Sequence, residues 1–207
     1  MYLSLLDSMS VRRSIQEYFG VYFITFTCAR WLHLFEMVNG YDLVYDWFDY
    51  LKLKGHYIIG YVIMPNHVHS LIAFRNTQGK SINTIVGNGK RFMSYSIIQR
   101  LQEENDYRTL NVLNSFVNPS DKRKGKLHEA FEPSFDWKDC SSEKLIMQKL
   151  DYIHNNPCQG SWQLVTNPWD YCHSSAKFYL LGEQGVYEVL SYSALQDIDL
   201  SKPLLDN

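Results

Sequence analysis

No apolar run in this sequence is long enough to span a bilayer, so a membrane-embedded protein is not expected. The opening Met1–Asp7 stretch has no basic region ahead of an apolar one, so no signal peptide is expected and the cytoplasm is the default location. Cysteine is scarce. Of the four, Cys28, Cys140, Cys158 and Cys172, no two stand at CxxC spacing, which argues against a zinc ribbon or a dithiol redox motif and for free thiols. Surplus positive charge is absent too, the net charge being −2. Internal repeats and low-complexity stretches are also missing. What remains is 207 residues, 45% hydrophobic, with 15 Tyr, 11 Phe and 5 Trp, the composition of one globular domain with a sizeable core.

The charge is unevenly spread. Residues 1–74 carry −1, residues 75–126 carry +6 and residues 127–207 carry −7. A basic middle segment can follow a phosphate backbone even when the whole chain is slightly acidic. Its candidate contacts are Lys80, Lys90, Arg91, Arg100 and the cluster Lys122, Arg123, Lys124 and Lys126. The competing reading is a solvated helix face followed by a basic loop.

Hydrophobic spacing organises the chain. Residues 1–19 read as an N-terminal arm, 20–180 as a single domain and 181–207 as an acidic, partly ordered tail. Val21–Ala29, rich in β-branched and aromatic residues, predicts a first strand. Apolar positions 43, 44, 47, 48 and 51 predict a helix over 42–53, closed by Lys54 and Gly55. Strands follow over 56–64 and 67–74, separated by Pro65-Asn66. Ser81 opens a long helix to about 104, with a break possible at Gly87 or Gly89. Residues 105–126 read as a basic loop or insertion. Residues 130–137 read as an edge strand, because Pro133 cannot sit centrally. Ser141 or Ser142 caps a last helix through Asn156, stopped by Pro157. The class is α+β, with a ferredoxin-like β-α-β-β-α-β antiparallel sheet and a C-terminal helix.

Two strings carry chemistry. In Gly60-Tyr-Val-Ile-Met-Pro-Asn-His67-Val-His69-Ser-Leu-Ile-Ala-Phe74, His67 and His69 share one strand face while Val68, Ile72 and Phe74 share the other. Two imidazoles one pleat apart can chelate a divalent metal if a third ligand arrives from elsewhere. In Asp151-Tyr152-Ile153-His154-Asn155-Asn156-Pro157, Tyr152 and Asn156 lie four apart on one helix face. Taken singly, each has an ordinary structural reading: histidines bonded to backbone, a packing tyrosine, an asparagine at a helix end. His154, two residues from Tyr152, belongs to another face.

The first string, YVIMPNHVHSLI, resembles the signature of the HUH single-tyrosine transposases, the IS200/IS605-like superfamily. The second resembles the tyrosine motif of their REP-associated branch, as does Asn167-Pro-Trp-Asp-Tyr-Cys-His-Ser-Ser-Ala176. The resemblance runs from about Val21 to Tyr179. It implies Tyr152 as nucleophile and His67, His69 and Asn156 as metal ligands. Asparagine rather than glutamine at the fourth position after the tyrosine favours the REP-associated branch.

The resemblance further implies a single-stranded DNA endonuclease and strand transferase that cleaves and rejoins DNA near hairpins through a 5′-phosphotyrosine. A mixed nitrogen and oxygen set suits Mn²⁺ or Mg²⁺ better than structural zinc. The implied partner is single-stranded or hairpin DNA, and monomer and homodimer both stay open. Two alternatives keep the same residues: a catalytically inactive nucleic-acid-binding module, and a water-using metal-dependent nuclease in which Tyr152 is structural.

Overall fold

The computed structural model describes residues 14–203, and most of the expected N-terminal arm lies outside them. Strand β1 is Gly20–Thr27, β2 is Tyr57–Met64, β3 is His67–Phe74 and β4 is Asp136–Asp139. They form one antiparallel sheet in the order β2-β3-β1-β4. Helices α1 (Leu34–Met37) and α2 (Tyr41–Leu53) lie between β1 and β2 in the chain. Helix α3 (Ile82–Glu103) follows β3, α6 (Glu143–Asn155) follows β4, and α7 (Ala176–Leu181) comes last. The α+β class with a four-stranded antiparallel sheet is as expected. Among the described residues, no helix is long and apolar enough to cross a membrane.

Both faces of the sheet are covered, which is why all eight residues of β3 are buried. One face carries Tyr22, Ile24, Phe26, Val68, Ile72 and Phe74 against α2 and α3. The other carries Phe23, Val62, Leu71 and Ala73 against Ile146, Leu150 and Ile153 of α6. His67 and His69 therefore face α6, as strand alternation requires. Gly60 lets the helix approach closely, since a side chain there would run into the Leu150 methyl. The sheet register slips between Ile58 and Gly60 at that point.

Several boundaries depart from expectation. Helix α3 runs unbroken through Gly87 and Gly89. Residues 105–126 are not an irregular loop, because α4 spans Tyr107–Ser115 and α5 spans Pro119–Lys122. Local caps start both: Asp106 accepts from the Thr109 amide, and Asn118 accepts from the Asp121 amide with Pro119 at the first helical position. Leu110 and Leu113 then join the core. The edge strand begins six residues later than expected, and Phe131 makes only a lone bridge to Cys28. Pro133 has no amide hydrogen, and the Lys90 ammonium takes the carbonyls of Glu132 and Ser134 at 2.7 and 2.8 Å, out of any ladder.

Of the expected acidic tail, residues 181–203 are described. Residues 171–190, which reach into that tail through Leu190, cover the open edge of β2. Ile63 donates its amide to the His173 carbonyl at 2.9 Å, and Ser175 and Leu190 donate theirs to Tyr61 and Ile58 at 3.0 and 2.9 Å. The Tyr171 and Tyr179 hydroxyls donate to the carbonyls of Ile63 and Ile59 at 2.9 and 2.8 Å. An uncovered edge strand is a template for aggregation, so this segment completes the sheet.

Candidate active site

Cross-strand pairing sets the histidines. His67 sits opposite Thr27 and His69 opposite Thr25 in the β1–β3 register. Thr25 Oγ1 lies 2.7 Å from His69 Nδ1. His67 Nδ1 lies 2.6 Å from Asn66 Oδ1. The Asn66 amide nitrogen donates to the Trp31 carbonyl at 3.0 Å, which fixes the orientation of that amide. Its oxygen can then only accept, so His67 carries its proton on Nδ1 and presents a lone pair at Nε2. Burial pushes His67 down to about 4 and holds His69 well below the ordinary histidine range, the latter with added repulsion from His67 and Lys149. Both rings are neutral at pH 7, the form that binds a metal.

Helix α6 brings the second half. Ser142 caps it, its hydroxyl accepting from the Leu145 amide at 3.4 Å, and Pro157 ends it in a short 3-10 turn over Asn156–Cys158. Ile146, Leu150 and Ile153 dock on the sheet, which points the next face at the histidines. The Tyr152 hydroxyl lies 3.5 Å from His69 Nε2 in the same chain. Asn156 interacts with His67, yet its Oδ1 is buried with no hydrogen-bond partner. The structure thus brings His67, His69, Tyr152 and Asn156 together.

A buried amide oxygen without a hydrogen bond, on a side chain that meets the neutral His67, is costly unless something fills the gap. A divalent cation fits that donor set: two ring nitrogens and one amide oxygen, with the other nitrogen of each ring held by Thr25 or Asn66 in the way metal-binding histidines are held. Among the described residues no cluster of three or more His, Cys, Asp or Glu offers another centre. His154 is buried and hydrogen-bonded to Ser175 Oγ at 2.9 Å, so it ties α6 to the C-terminal segment rather than facing the site.

Two contributors carry no motif. Lys149, one turn before Tyr152, has its ammonium 4.4 Å from the Phe23 ring centre and 5.6 Å from that of Tyr152. Phe23 stacks on His69 with centres 5.5 Å apart. An i,i+3 spacing of lysine and tyrosine is the one sequence signal that could have marked Lys149.

The basic candidates fare differently. Lys90 is buried against two carbonyls and pushed down to about 8 by burial, so it is removed from the set of phosphate contacts. Arg100 is taken up by Asp42 and by the carbonyls of Val38 and Asn39. Both lie on α3, on the sheet face opposite α6. Lys122, Lys124 and Lys126 have local partners in Asn114, Asp121 and Glu129. Lys80, Arg91 and Arg123 are exposed.

No family profile matches the sequence, and no curated protein matches it at a meaningful level. Solved structures do match the fold. A REP-associated tyrosine transposase bound to a REP hairpin superposes with a TM-score of 0.55 at 16% identity, covering 94% of this chain and 99% of that one. A transposase-like protein from Deinococcus radiodurans R1 gives a TM-score of 0.39 at 19% identity, covering 67% of this chain and 92% of the other. The chain has the α+β fold of a single-tyrosine transposase.

Proposed function

We propose that this protein is a metal-dependent single-stranded DNA transesterase of the HUH single-tyrosine class, acting near DNA hairpins. The observation that carries the reading is the Tyr152 hydroxyl 3.5 Å from His69 Nε2, with Asn156 on the same helix reaching the neighbouring His67. A packing tyrosine would have its hydroxyl in water, and a helix-end asparagine would not aim a bare oxygen into a buried site. The fold shared with a hairpin-bound REP-associated transposase supports the substrate class.

His67, His69 and Asn156 would hold Mn²⁺ or Mg²⁺, which when bound neutralises a phosphate oxygen and polarises phosphorus. Tyr152 Oη forms a bond to phosphorus while the bond from phosphorus to the 3′-oxygen breaks. The phenol proton leaves and the departing 3′-oxygen gains one, giving a 5′-phosphotyrosine and a free 3′-hydroxyl. Lys149, whose ammonium lies 5.6 Å from the Tyr152 ring centre, would place a positive charge beside the anionic phosphate. The covalent link keeps the phosphoester, so another 3′-hydroxyl can reverse the step and join strands. In this arrangement Tyr152 meets His69 of its own chain.

The test is a cleavage assay on single-stranded hairpin oligonucleotides taken from repeats flanking the gene, with Mn²⁺ or Mg²⁺, on a denaturing gel that keeps protein–DNA adducts. An adduct is expected in the native protein. Tyr152→Phe should abolish it and lower cleavage by roughly three orders of magnitude or more, as loss of a nucleophile does. Cleavage without an adduct would instead indicate a water-using nuclease, and binding without cleavage a binding module.

A further inference from the structure

Immediately beside His67 the surface opens into a cleft of about 490 Å³, walled by Trp31 and Trp162 and edged by His33, Glu36 and Asn66. That volume is in the range of small-ligand pockets. Its two indoles flank the metal-ligand histidine, with Trp31 6.0 Å and Trp162 5.8 Å from the His67 ring, centre to centre. Trp31 is 62% exposed, far more than a core tryptophan.

Its backbone is also strained. Arg30 and Trp31 stand at φ +51° and +60°, consecutive positions in the left-handed region that bulky side chains avoid. The strain is held in place by the Asn66 side chain, which bonds the Trp31 carbonyl with its nitrogen and His67 with its oxygen. One residue thus ties the cleft wall to the HxH motif. Exposing a tryptophan on strained backbone gains the fold nothing, so a ligand for the ring accounts for it best.

We propose that this cleft binds one unpaired base of the DNA strand next to the reacting phosphate, stacked on Trp31 and Trp162 and read at its edge by Glu36. The inference rests on the transesterase reading and names a base subsite within it. Stacking suits an unpaired base because every base has a π-face. Glu36 adds selectivity. Its Oε2 lies 3.1 Å from His33 Nδ1, which leaves Oε1 to accept from a base amino group. His33 in turn packs against Trp162, ring centres 5.4 Å apart, so the carboxylate is aligned with the stacking wall. Adenine, cytosine and guanine offer an amino group there. Thymine offers carbonyl oxygens on either side of its single N–H and is disfavoured beside a carboxylate.

The experiment uses the full chain and a fluorescein-labelled hairpin oligonucleotide with its single-stranded flank, from the repeats flanking the gene. Affinity is read by anisotropy, and the adduct gel is run on the same samples. Each flank position is replaced in turn by an abasic site and by each of the four bases. One position should be sensitive to base removal, by about 5- to 150-fold in Kd, the stacking contribution of a single base. At that position thymine should bind worst. Trp31→Ala should lower affinity for the intact flank by a similar factor and lose its response to the abasic site, while Trp31→Phe restores most of it. Glu36→Gln, an exposed change that leaves packing intact, should erase the penalty against thymine.

If Trp31→Ala, Trp162→Ala and Glu36→Gln all bind and form adducts as the native protein does, the base subsite is wrong and the transesterase reading stands. If no adduct forms but binding keeps its Trp31 and Glu36 dependence, the subsite stands and the transesterase reading is wrong. Absence of both binding and adduct overturns both.

Discussion

Asn66 holds two parts of the site at once, and its consequences are local. Its oxygen fixes the protonation of His67, and its nitrogen fixes the loop that carries Trp31. Removing such an outer partner of a metal-binding histidine typically costs 10–100-fold in metal affinity. Asn66→Ala is therefore expected to weaken Mn²⁺ binding by roughly that factor, measured by calorimetric titration of the protein without DNA. An unchanged affinity would mean that His67 does not ligate through Nε2. At this scale the sequence was informative where a spacing carried the chemistry. His67 and His69 are two apart on a strand, Tyr152 and Asn156 four apart on a helix, and the fold brings all four together. It was silent on Thr25, Phe23, Lys149 and Trp31, whose places depend on strand register and on contacts between distant segments. Lys90 shows the opposite failure: a lysine on a basic stretch reads as solvent-facing, and only the fold turns it inward to two carbonyls.

Helix α3 shows why two glycines two residues apart need not mean the same thing. Gly87 has open space where a side chain would stand. Gly89 has the Trp47 indole, where an added methyl would overlap the ring nitrogen and its neighbours. Trp47 cannot easily yield, since it is buried and edge-on to Phe26 at 5.7 Å. Gly87→Ala is expected to stabilise the protein by about 0.5–1 kcal/mol through helix propensity. Gly89→Ala gains the same propensity but forces overpacking that costs about 1–3 kcal/mol, so a net loss is expected. Urea denaturation of the two variants should move the midpoint in opposite directions. A shared gain would show that the α2–α3 contact is looser than described. From the sequence both glycines looked like places where the helix could break, because propensity counts the backbone alone. What keeps α3 continuous is the close approach to α2, which no local pattern displays. The same blindness explains α4: its caps are hydrogen bonds between near neighbours, and its apolar side, Leu110 and Leu113, has meaning only once α3 lies beside it.

Covering the sheet on both faces and along the β2 edge has a price in histidine ionisation. His56 and His154 are both pushed down to about 4 by burial. The unfolded chain takes up a proton at each near the ordinary value of about 6.5, whereas the folded chain does so only near 4. The unfolded state therefore binds more protons between these limits, and stability must fall as pH drops through that window. Above pH 7 neither state is protonated and the effect vanishes. Each group contributes on the order of 3 kcal/mol of destabilisation by pH 4, which is a large share of the stability of an ordinary domain. The expected outcome is a urea midpoint that changes little from pH 8 to 7, where only Lys90 begins to titrate, and declines steadily from about 6.5 to 4, measured with chelator present so that bound metal does not contribute. His56 isolates the cause, because its ring packs on Phe74 far from Tyr152, with its Nδ1 buried and unpartnered. His56→Phe keeps an aromatic ring there and removes the titrating group. Its midpoint should decline less steeply over the same window, while the native protein and the variant converge above pH 7 apart from a constant offset. A native midpoint that holds level down to pH 4 would mean that the interior admits charged histidines, and hence that the enclosed, neutral site derived from the same burial is more open than its geometry indicates.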